Sequence, residues 1–123
     1  MKWRSLLGVV LVMPVAFAQP VVKPCRAMLT QADAKVLAAA IPNARAFREN
    51  LHATITTSID AAMPGNRVAI RVVAHQPDTG RTEVVGVYTV DLRTGRVTDD
   101  DQEPADDKQT LAVRDRLMAK HCR

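Results

Sequence analysis

The chain has 123 residues, 17 Lys plus Arg against 13 Asp plus Glu, a formal charge of +4 and only 3% aromatic side chains. That length accommodates one small domain rather than two. Charges this close to balance exclude a polybasic nucleic-acid binder, and so few rings exclude an aromatic stacking platform for sugars or bases.

Met1, Lys2, Trp3 and Arg4 form a short basic opening, and the apolar run from Leu6 to Phe17 follows. The run ends in Ala16-Phe17-Ala18, the small-x-small pattern of a secretory cleavage site. Residues 1–18 therefore read as a cleaved signal peptide. Its apolar stretch, about a dozen residues, is too short to cross a bilayer core of ~30 Å as a helix. Val22-Lys23-Pro24 before Cys25 lacks the small residues of a lipid-attachment motif, and no second hydrophobic span follows. The mature chain, residues 19–123, then keeps 105 residues, a formal charge of +2 and two aromatics, Phe47 and Tyr88. It is expected in the periplasm or outside the cell, with no transmembrane span after cleavage.

An oxidising compartment decides how Cys25 and Cys122 are read. One disulfide between them is the expectation. It would close a loop of about 98 residues, for which the chain-entropy model gives ~4–5 kcal/mol. The competing reading is a reactive thiol. His121 beside Cys122 is badly placed for that, because adjacent residues on a helix do not face each other.

In chain order, Gln19 to Leu29 is an extended lead-in, with Pro20 and Pro24 blocking a helix. Thr30 is placed to cap a helix over Gln31 to Ile41, with Asp33 as its capping-box partner. From Asn43 to Met63, Phe47, Leu51, Ile55 and Ile59 recur every four residues, which predicts a second, amphipathic helix. Thr54, Thr56, Thr57 and Ser58 weigh against it and would suit a strand. From Arg67 the period becomes two: Val68, Ile70, Val72 and Ala74 share one face, and Arg67, Arg71 and His75 the other. After a turn at Gln76-Pro77-Asp78-Thr79-Gly80, a strand over Thr82 to Leu92 sets Val84, Gly86, Tyr88, Val90 and Leu92 on one face. Glu83, Val85, Val87, Thr89 and Asp91 take the other face, and Gly86 interrupts the strand as a bulge or close backbone approach would. Arg93-Thr94-Gly95 is a hairpin loop leading to a short return strand, Arg96 to Thr98. Ala105 to Lys120 reads as a last helix, acidic at its start and basic at its end, as the helix dipole favours. Leu111, Leu117, Met118 and Cys122 would form its buried side. The expected fold is α+β: a three-stranded antiparallel meander covered by N-terminal helices and a C-terminal helix, in the order α-α-β-β-β-α.

The stretch Tyr88-Thr89-Val90-Asp91-Leu92-Arg93-Thr94-Gly95-Arg96-Val97 resembles the C-terminal hairpin of PepSY-like domains. These are small secreted α+β modules in which an aromatic, an acidic residue and a Thr-Gly turn precede a hydrophobic return strand. The resemblance implies a regulatory binder, of the kind linked to protease inhibition or regulation.

Signals for chemistry are sparse. His52, His75 and His121 fall in different elements, and none has a second metal ligand at helical or hairpin spacing. Asp99, Asp101 and Glu103 alternate like early ligands of a calcium loop. Position six of that loop is Pro104 rather than glycine, however, and position twelve is Thr110 rather than glutamate. Ser58 has no nucleophile elbow or Ser-x-x-Lys around it, and the five glycines are scattered singly, so no phosphate-cradling loop forms. No cofactor, metal or catalytic residue is assigned. What remains is the polar face of the sheet: Arg67, Arg71, His75, Glu83, Thr89 and Asp91 around Val85 and Val87. That face is a solvated surface, a partner-binding surface whose arginines meet carboxylates, or a face covered by the first or last helix. The expected function is that of an exported, non-catalytic binding protein, an inhibitor or immunity-type regulator of a cell-envelope enzyme. Its partner would be another exported or envelope protein. An envelope-associated structural or ligand-binding accessory module and an enzyme of unrecognised type are the competing classes.

Overall fold

A computed structural model describes residues 27–122. The signal peptide with its cleavage point, and Cys25 with its pairing to Cys122, lie outside the described residues. The elements are α1 (Gln31–Ala39), α2 (Pro42–Leu51), β1 (Thr54–Met63), β2 (Arg67–Gln76), β3 (Arg81–Asp91), β4 (Val97–Thr98) and α3 (Lys108–Lys120). The strands form one antiparallel sheet in the order β1-β2-β3-β4. This is the expected small α+β fold, with a fourth strand ahead of the predicted three. Among the described residues no helix is long and apolar enough to cross a membrane.

Helix α1 starts as its spacing predicts. Thr30 Oγ1 accepts from the Asp33 N–H at 3.1 Å, and Asp33 Oδ2 accepts from the Thr30 N–H at 3.0 Å, a complete capping box. It ends at Ala39, two residues short of the expectation, and Pro42 opens α2 as its first residue, where the missing N–H costs no helical bond.

The helix expected over 43–63 stops at Leu51. His52 adopts the left-handed conformation at φ 51°, closing α2, and Thr54–Met63 continues as strand β1. Residues four apart share a face in a helix and also in a strand, so the Phe47–Leu51–Ile55–Ile59 stripe fits both. The threonines decide between them: β-branched residues at 54, 56 and 57 favour extended backbone, and pairing with β2 supplies its hydrogen bonds.

Residues directly opposed in an antiparallel ladder share a face. Val68, Ile70 and Val72 on β2 therefore lie with Val90, Tyr88 and Gly86 of β3 and with Ala62, Ile59 and Thr57 of β1. All three helices cover this face, and the core consists of Leu29, Leu37, Ala38, Ile41 and Ala44 against Val68, Ile70, Val72, Tyr88, Val90 and Val97, closed by Leu117 of α3. Buried Thr110 stands on the core side of α3, a residue absent from the predicted set.

The helices are small and alanine-rich where they meet the sheet, so polar groups fix their ends. At the α1–α2 junction Arg45 donates to Ala40 O at 2.7 Å, Arg48 to Ala39 O at 2.6 Å and Thr110 Oγ1 to Ala40 O at 3.1 Å. The same Arg45 forms a two-pronged ion pair with Asp107, the N-cap of α3, where the Thr110 N–H also donates to Asp107 Oδ1 at 3.0 Å. Arg45 and these donors hold the Asp107 carboxyl far below the usual carboxylate range. Asp106, expected inside the helix, instead lies just ahead of it, its side chain 2% exposed and gripped by Arg96 Nε at 2.8 Å and the Val97 N–H at 3.0 Å. Burial alone would raise its carboxyl, but Arg96 and Val97 outweigh that and lower it.

Asp33 does a second job besides capping. Its side chain is 6% exposed and its Oδ2 lies 2.6 Å from His121 Nε2, with Lys120 Nζ 3.5 Å from Oδ1. Burial pushes this carboxyl up, but the Thr30 N–H, His121 and Lys120 together hold it at about 2. An ionised carboxylate only accepts, so His121 is the donor. The contact joins the start of the first helix to the end of the last.

Two outcomes test this packing. Gly95 has φ +70°, and an added Cβ would fall on the Arg114 side-chain stem and 3.3 Å from Leu29 Cδ1. Gly95→Ala is expected to cost about 1–2 kcal/mol, read as a thermal midpoint lower by roughly 5–10 °C; an unchanged midpoint would contradict the packing. Because the folded Asp33 carboxyl titrates below its unfolded value, its contribution is complete above about pH 4 and disappears as pH falls through about 2. Asp33→Asn is expected to lower stability by about 2 kcal/mol at pH 7 and to flatten the acid side of the stability profile, measured by urea unfolding from pH 7 to 2.

Candidate binding face

Among the described residues, the helices leave the second face of the sheet bare. Its ladder pairs are Arg67 with Asp91, Ala69 with Thr89, Arg71 with Val87, Val73 with Val84 and His75 with Thr82. Ala69, Val73, Val84 and Val87 make an apolar centre, in which Val84 is 55% exposed, Val73 and Val87 are half-buried and Ala69 is buried. Arg67, Arg71 and His75 stand along β2 at every fourth position beside it.

Neither arginine is locked. Arg71 lies 3.4 Å from Asp60 Oδ1, and both side chains are more than a third exposed, so the pair is screened and contributes little. Arg67 Nε donates to Pro64 O at 2.9 Å. His75 Nδ1 shares a 2.9 Å hydrogen bond with Thr82 Oγ1 on the neighbouring strand. The face offers guanidinium groups that can exchange a weak partner for a carboxylate without opening the core.

Six of the eight residues expected on the polar face, Arg67, Arg71, His75, Val87, Thr89 and Asp91, share this face; Glu83 and Val85 do not. Val72 opposes Gly86 while Val73 opposes Val84, so Val85 is an extra residue in β3. Such a bulge reverses the alternation on one side of itself. Val85 accordingly packs against the core, and Glu83 lies opposite Ala74 on the helix-covered face, 3.9 Å from Arg81. Val84 takes the outward place expected for Val85. The signal that could have located it was Gly86, where a Cβ would meet the Tyr88 ring at 3.0–3.1 Å. The strand needs a glycine there, and the phase has to be counted afresh from it. Asp60 belongs to a second irregularity, between Ile59 and Ala61 in β1.

Where the bare face meets the chain after β4, a cavity of about 330 Å³ opens between Met63, Arg67, Thr89, Asp91, Thr98 and Asp99. The carboxylates of Asp99, Asp100 and Asp101 lie within 4.8 Å of one another beside it. Asp99 Oδ1 accepts from the N–H groups of Asp101 and Glu103 at 2.9 Å each, so this carboxylate braces its own loop. The three histidines are dispersed: His52 caps α2, His75 sits on the bare face and His121 holds Asp33.

No protein-family model, curated protein or solved structure matches the chain.

Proposed function

We propose that this chain is an exported, non-catalytic binding protein that engages another exported or envelope protein through the bare face of its sheet. An inhibitor or immunity-type regulator of a cell-envelope enzyme fits best. One observation carries the reading: all the helices pack on one side, and the other side is an apolar patch of Ala69, Val73, Val84 and Val87 flanked by loosely held arginines. A solvated face has no need of an exposed valine at its centre, whereas a protein interface uses an apolar middle with arginine at its margin. The expected partner presents carboxylates to Arg67 and Arg71. The export signal over residues 1–18 and a Cys25–Cys122 bridge belong to the same proposal, since both suit work in an oxidising compartment.

A second reading, a ligand-binding accessory module, rests on the 330 Å³ cavity beside the acidic loop.

The test uses immobilised chain and a periplasmic or secreted extract. Wild type is expected to retain one stoichiometric partner, and Arg71→Glu with Val84→Asp is expected to release it with the thermal midpoint nearly unchanged, both side chains being exposed. Undiminished retention by the double variant would place the interface elsewhere, and no retention at micromolar bait would remove the proposal. For the bridge, intact mass with thiol labelling before and after reduction is expected to show two labels only after reduction. Two labels before it would refute the pairing.

A further inference from the structure

The sheet has two edges, and they are not alike. At one, β4 is two residues long and Thr98 is bridged onward to Pro104. At the other, β1 runs ten residues, Thr54–Met63, and among the described residues its backbone is bonded only toward β2. Folded proteins blunt such edges with lysine, proline, inward charge or a covering segment. From Thr54 to Ile59, β1 has none of the first three, and its first charge is Asp60, where the strand bulges. The apolar surface around it is also unusual. Of the five large hydrophobics left exposed among the described residues, Ile59 (38%) is on β1 itself, and Val36 (51%) and Leu51 (44%) are on the two helices that pack against it.

We infer that the β1 edge is a self-association surface, pairing antiparallel with β1 of a second copy into an eight-stranded sheet. The strand's own pattern selects a second copy as its occupant. Two-fold pairing keeps each residue on its face, so opposed positions must differ by an even number. Centred on Thr57, that register sets Thr57 against itself, Ile55 against Ile59 twice, Thr56 against Ser58 twice, and Asp60 against Thr54. On the helix-covered face Ile55 and Ile59 meet each other, the hydroxyls of Thr56, Thr57 and Ser58 meet hydroxyls, Thr54 meets the Asp60 carboxylate, and no like charges are opposed. The pairing covers Ile59, which the single chain leaves exposed at the edge of the helix-covered face. Because it uses the edge, it leaves Arg71 and Val84 uncovered, and it stands or falls separately from partner binding there.

Sedimentation equilibrium of the purified chain, from about 1 µM to about 1 mM to suit a small interface, tests it. The apparent mass is expected to rise from one chain toward two, and the amides of residues 55–59 to gain hydrogen-exchange protection over the same range. Thr56→Lys with Ser58→Lys, both at exposed positions on the bare face, opposes like charges on each side of the axis. It should shift the midpoint of association at least tenfold upward in concentration while leaving the thermal midpoint of the dilute chain in place. A chain that stays monomeric throughout, whatever foreign strand it accepts, overturns the inference. So does a dimer that the double variant leaves equally tight.

Discussion

The row Val68, Ile70, Val72 and Ala74 on β2 is the surface on which the rest of the molecule is laid. Each of these side chains is at most 1% exposed. With one aromatic residue, Tyr88, in the core, apolar burial depends on close approach between short aliphatics. Ala34, Ala38 and Ala44 give α1 and α2 smooth undersides that can reach the sheet. A wider layer would leave voids that residues of this size cannot fill, so the positions of the helices follow from the size of what lies between them.

Close approach also exposes a difficulty, because helix ends near a core carry backbone groups in need of partners. Three aspartates resolve it. Asp33 satisfies the start of α1 and receives the end of α3; Asp107 starts α3 and receives the α1–α2 junction through Arg45; Asp106 ties the strand entering Val97 to the chain entering α3. Each carboxylate takes several donors, Asp33 from Thr30 and the end of α3, Asp107 from Arg45 and Thr110, and Asp106 from Arg96 and Val97, and these hold all three below the usual carboxylate range. The net gain of such pairs over well-packed apolar contacts is small. Their structural value is geometric: they set where each helix ends.

Much of this was legible in the residues. Thr30 and Asp33 announce a helix start by spacing alone, Arg93-Thr94-Gly95 a tight loop, and the alternation from Arg67 to His75 a strand with one wet and one dry side; the structure has all three. Two features were ambiguous for physical reasons. A four-residue apolar repeat suits helix and strand equally, and the break at His52 depends on a left-handed residue that many helices would pass without stopping. In β3, strict alternation fails where Val85 is inserted, so a face counted from Tyr88 backward is wrong beyond Gly86. Among the proposed face residues, the miscount exchanged Val84 for Val85 and drew in Glu83. The second role of Asp33 had no local signal, since His121 is distant along the chain and meets it only through the fold.

The bulge also means that β3 serves two masters with one stretch of chain. Tyr88 and Val90 answer to the core, Val84 and Val87 to whatever lies beyond the sheet, and Val85 changes the assignment between them. The residues that hold the helices, Asp33, Arg45 and Asp107, share no hydrogen bond with those on the bare face. Substitutions at separated sites without common partners add nearly independently. The outward positions can therefore change without loss of the scaffold beneath them, which draws its stability from other atoms.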